Sequence, residues 1–196
     1  MSFSSKTAKS SSRISGLENS NETPGTCAGR ANGFPLRREF GFALVEEVTL
    51  DVFRCVCDVY VTGSAQGWDV AITTASEKLG AADGPLLVAR VTAFLSALKA
   101  ERMGNVSYLG FGCSHVCPDE VAILTLIKSI RLDDANVCNT VLQLVLLDGP
   151  STELTTSAGR LLAEFHRAHL VRTASTGRFD GGSVTSLESH RAARLH

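Results

Sequence analysis

Residues 83–104, DGPLLVARVTAFLSALKAERMG, decide the class of fold. Asp83 is a residue type that caps helix N-termini, and Pro85 suits a first turn, where its missing N–H costs nothing. Leu87, Val88, Val91, Phe94, Leu95 and Leu98 then recur at steps of three and four, which predicts one apolar face of a helix. Arg90, Lys99 and Glu101 fall mostly off that face, and Gly104 ends the pattern.

Downstream the same grammar repeats. Cys117-Pro118-Asp119-Glu120 reads as a helix start, with acids in the first turn complementing the helix dipole. Val121, Ile123, Leu124, Leu126, Ile127 and Ile130 cover most sides of that helix, which predicts a buried central element. Asp133 or Asp134 can cap another helix reaching about Leu147, equally apolar and expected to be equally central. After Asp148-Gly149-Pro150, Ser151 is the expected cap of a last helix with Leu154, Ala158, Leu161, Leu162, Phe165 and His169 on one face.

Upstream, Ser64 is the expected cap of a helix carrying Trp68, Ile72, Ala75 and Leu79, closed by Gly80. Residues 42–60 are ambiguous. Leu44, Val45, Val48, Val52, Cys55, Val56 and Val59 step as a helix, whereas Val48-Thr49-Leu50-Asp51-Val52 alternates as a strand and is rich in β-branched residues. The expectation is a mainly α, single compact bundle of five or six helices over residues 34–172.

The ends read differently. Residues 1–33 are Ser-rich with little apolar periodicity, and residues 173–196 turn polar and Gly-rich, so both are expected to be disordered tails. The first acid is Glu18, behind Lys6, Lys9 and Arg13. A Ser-rich, basic, acid-poor leader is also the composition of an organelle transit peptide or of the leader of an exported effector.

Charge excludes some partners. Lys plus Arg number 19 against 20 Asp plus Glu, so neither nucleic acid nor an anionic membrane is expected. One Trp and two Tyr leave no stacking platform for bases. The longest apolar run, Val137 to Leu147, is broken by Asn139, Thr140 and Gln143 and is too short to span a bilayer. The six cysteines (Cys27, Cys55, Cys57, Cys113, Cys117 and Cys138), with no secretory signal ahead of them, are expected as thiols in a cytoplasmic, soluble protein.

The residues best placed for chemistry lie in Gly110-Phe111-Gly112-Cys113-Ser114-His115-Val116-Cys117-Pro118. Cys113, His115 and Cys117 could supply soft N and S ligands to a zinc ion, with Cys55 or Cys57 as a fourth ligand. If residues 42–60 are helical, Cys55 and Cys57 point about 200° apart and only one can join. A thiolate at Cys117 would gain from the helix N-terminus, and His115 could activate it. The alternative is that these cysteines are simply core. Gly110-x-Gly112 lacks the third glycine and the Lys of a phosphate loop. His166-x2-His169 can share a ligand, but no second carboxylate beyond Glu164 stands near it in sequence. Asp133-Asp134 and Glu46-Glu47 read as caps and a hydrated helix face. Nothing else approaches a catalytic pattern, so enzyme activity stays undecided. The expected function is that of a helical accessory or regulatory protein whose partner is another protein, with no cofactor. The alternatives are a thiol or zinc protein built on the cysteine loop, and an exported or organelle-imported protein addressed by its leader.

Overall fold

The structure, a computed structural model, describes residues 28–147, 149 and 151–176. Cys27, most of the Ser-rich leader and the tail from residue 177 lie outside the described residues. The described chain folds as α1 (Ala28–Ala31), a 3-10 turn (Arg37–Phe40), α2 (Leu44–Thr62), α3 (Gln66–Leu79), α4 (Asp83–Glu101), α5 (Pro118–Leu132), α6 (Ala135–Leu146) and α7 (Glu153–Thr176). The mainly α bundle expected from the sequence is what forms. Among the described residues there is no strand, only a single antiparallel bridge between Leu36 and His115. None of these helices is long and apolar enough to cross a membrane.

The ambiguous stretch is helix α2, and it is the centre of the molecule. Every residue from Val48 to Cys57 is buried, because α3, α4, α5 and α7 pack around it. The β-branched run lowers intrinsic helix preference by only a few tenths of a kcal/mol per residue, so burial on several sides prevails over it. The Glu46 carboxylate starts the helix by accepting from the Ala43 N–H at 2.8 Å, and its other oxygen accepts from Arg131 at 3.0 Å. Glu46 is therefore a buried cap and not part of a hydrated face.

Leu87, Val91, Phe94, Leu95 and Leu98 of α4 meet Val52, Val56, Ile127 and Leu162 in one continuous core. Gly84 lets α4 approach α3 closely: a Cβ there would sit 2.5 Å from the backbone nitrogen of Ser76.

The sequence places α6 wrongly. It packs against α5 alone and sits at the edge, burying Leu142, Val145 and Leu146 while Val137, Leu144 and Leu147 face outward. Apolar content on all sides did not mean burial on all sides.

Three expected caps also differ. Ala65, and not Ser64, precedes α3, although the Ser64 hydroxyl still accepts from the Gln66 N–H at 3.3 Å. Asp83 belongs to α4 itself, and its carboxylate reaches across to His169 at 3.2 Å and to Arg172, both on α7. The start of α7 is capped by Glu101, the last residue of α4, which accepts from Leu154 N–H at 2.8 Å, Thr155 N–H at 2.9 Å and the Ser151 hydroxyl at 2.9 Å. Asp134 caps α6 as expected, accepting from Val137 N–H at 3.1 Å. Helix α7 runs beyond the expected end at Arg172, and α1 forms within the stretch read as leader.

Candidate functional site

Between α4 and α5 the chain crosses one end of the bundle as an irregular segment, residues 103–117. Its carbonyls need partners that no helix supplies. Arg54, fully buried on α2, provides them. Its guanidinium donates to the Cys113 carbonyl at 2.6 Å and the His115 carbonyl at 2.6 Å, and pairs in bidentate fashion with Glu120 at 2.7 and 2.8 Å. Glu120, on the first turn of α5, also accepts from Leu109 N–H at 3.0 Å and Cys117 N–H at 2.9 Å. A buried charge pair survives only when its remaining lone pairs and protons are satisfied, and here backbone groups of the crossing segment satisfy them.

This anchored segment holds the N-terminal part of the described chain. Arg37 N–H donates to the Ser114 carbonyl at 2.8 Å, and Val116 N–H donates to the Pro35 carbonyl at 3.0 Å. Gly29 of α1 lies directly on the His115 and Cys113 side chains, too close to admit a Cβ. Pro35 is thereby fixed beside Val116.

The candidate ligands fall apart in this geometry. Cys113, half-buried, has its sulfur 3.9 Å from His115 Nδ1, so these two do meet. Cys117 turns inward, 2 % exposed, and its thiol donates to the Ser107 carbonyl at 3.2 Å. Burial first, and then the Glu120 carboxylate, push its thiol up to about 12. The depressed pKa expected at a helix N-terminus does not arise, because Glu120 already occupies that N-terminus with negative charge. Cys55 and Cys57 are both buried on α2. Burial, Asp51 and Asp58 raise Cys55 to about 11. Burial raises Cys57 well above the ordinary thiol range, helped by Glu120 and Cys117, so it is Cys57 that feels the loop. The set Cys113, His115, Cys117 and Cys55 is not assembled, and among the described residues no group of three or more His, Cys, Asp or Glu is placed to hold a metal ion. Cys138 is half-buried and lines an open, polar depression of about 320 Å³ between α5, α6 and α7. His166 and His169 do not share a ligand position: the first is hydrogen-bonded to Thr49 and the second to Asp83.

What the crossing segment does build is a groove. Val116, Val121, Ala122 and Thr125 form its floor, Pro35 and Pro118 one side, and Val141 and Leu144 of α6 the other. Its volume is about 360 Å³, and no lining residue is charged. Leu144 stands 61 % exposed on its wall. Compared with protein-family models, curated proteins and solved structures, the chain matches none.

Sequence reasoning missed Arg54, Glu101 and the groove. An Arg flanked by Phe53 and Cys55 within an apolar run is a signal for a buried, paired cation, and it was available. Nothing local marks Glu101 as the cap of a helix that begins 52 residues later.

Proposed function

We propose that this chain is a helical accessory protein that works by holding a protein partner against the uncharged groove formed by Pro35, α5 and α6. One observation carries this reading: a concave, wholly apolar surface, exposed Leu144 included, on a support fixed by the Arg54–Glu120 pair. Grooves of this composition take the apolar face of a helix, with anchors at spacings of three, four and seven. The five described cysteines are free, the state that a reducing compartment maintains, and this supports a cytoplasmic location.

The test is a photo-crosslinking residue at position 144 of the full chain in its native cells. A discrete adduct is expected there and not when the same residue is placed at exposed Glu77 on α3. Equal labelling at both positions would remove the groove from consideration.

The contact of half-buried Cys113 with His115 favours a second reading, a reactive thiol at Cys113. Selective modification of Cys113 in the folded chain would support it, and modification no faster than that of a free cysteine peptide would count against it.

A further inference from the structure

Helix α6 has no Asp, Glu, Lys or Arg along its 12 residues. Its outward face carries Val137, Thr140, Val141, Leu144 and Leu147, spaced by three and four, as a low ridge. The ridge and the groove lie side by side, because Val141 and Leu144 belong to both. A ridge next to a groove on one face is the requirement for an isologous interface. A two-fold rotation places the ridge of each copy into the groove of the other. Charge agrees with this. A neutral face meeting itself has no like charges to oppose, whereas a charged partner would lose hydration there with no counter-charge in return.

The chain's own outlying segments suit the groove less well. Residues 1–27 hold only Met1, Phe3, Ile14 and Leu17 as large apolar side chains, among Lys6, Lys9, Arg13, Glu18 and Glu22.

We infer that the partner seated in the groove is a second copy of this chain, bound about a two-fold axis through the α6 face. This rests on the groove reading above and names its occupant.

The experiment uses the purified full chain. Sedimentation equilibrium at tens of micromolar is expected to give twice the 20.8 kDa chain mass. Leu144→Asp and Thr140→Arg alter exposed positions, so circular dichroism and melting should show an unchanged fold. Each is expected to weaken self-association at least tenfold, by placing like charges across the axis. The crosslinking residue at 144 should give a covalent species of twice the mass. Single-chain mass at every concentration, or a crosslink from 144 into residues 1–27 of the same chain, would overturn the second-copy assignment. If the purified chain stays monomeric while the adduct in cells persists, the groove reading stands and only its occupant is wrong. If both are missing, both fall.

Discussion

Thr49 Oγ1 and His166 Nε2 lie 2.8 Å apart in the core, between α2 and α7. The single hydroxyl hydrogen of Thr49 goes to the Val45 carbonyl at 2.7 Å. Thr49 can therefore only accept from His166, which places the imidazole proton on Nε2 and leaves Nδ1 bare, with no partner among the described residues. A second proton would bring a buried cation close to Arg131. Burial first, then Arg131 and His169, hold the pKa of His166 down to about 3 against an ordinary 6.5.

A pH dependence follows. Between these values the unfolded chain binds a proton that the folded chain refuses, so stability falls as pH drops below 6.5. The slope reaches about 1.4 kcal/mol per pH unit for one such group. The carboxylates Asp83 and Glu101 are lowered from ordinary values of 3.8 and 4.5: burial raises them, but hydrogen bonds from His169 and Arg172, and from Thr155 and Leu154, outweigh it. Their stabilisation is complete above those ordinary values and is lost only at lower pH. Urea unfolding from pH 6.5 to 5 should therefore show the His166 slope, and His166→Gln should flatten it. An unchanged slope in the variant would assign the dependence elsewhere.

Arg54→Met should cost about 3–5 kcal/mol, because it leaves Glu120 ionised in the core and orphans the Cys113 and His115 carbonyls. Hydrogen exchange should speed up first at Leu109, Cys117 and Val116, whose N–H groups rely on Glu120 and on the strapped Pro35 segment. A loss under about 1 kcal/mol would mean that water replaces the guanidinium without penalty.

Thiol labelling at pH 8 should order the described cysteines by environment. Cys113 and Cys138, half-buried, should react in the folded protein, and Cys55, Cys57 and Cys117 only after unfolding. Peptide mapping by mass spectrometry reads this directly. Cys117 labelling as fast as Cys113 would contradict the inward orientation of its thiol.

The two most apolar helices should respond differently to truncation. Ile127→Ala, at a 1 % exposed site on α5, should cost about 2–5 kcal/mol. Leu144→Ala, on the outward face of α6, should stay within about 0.5 kcal/mol when measured at high dilution. Equal losses would place α6 inside the core after all.

Much of this fold was legible because its signals are local. The face of α4, Pro118 at the start of α5 and Asp134 at the start of α6 each declare themselves within one or two turns. The errors come from partners far away in the chain. Leu144 and Ile127 are equally apolar, and only the arrangement of the bundle decides that one faces out. Cys117 stands at a helix N-terminus, as its neighbours suggested, but Glu120 arrives there first. Cys113 and His115 do approach each other, as their two-residue spacing allows, whereas Cys55 depended on which side of α2 faces the loop.

The Arg54–Glu120 pair also sets a schedule for synthesis. Residue 120 is made 66 residues after residue 54, a delay of roughly 3–13 s at about 5–20 residues per second. During that interval α2, α3 and α4 can associate through their apolar faces, yet Arg54 has no carboxylate to accept its charge and must stay hydrated. Thr49 waits longer still for His166, 117 residues on. The nascent chain therefore passes through a stage in which its most central helix is held at the surface by its own arginine, and final closure comes only when α5 and α7 have left the ribosome.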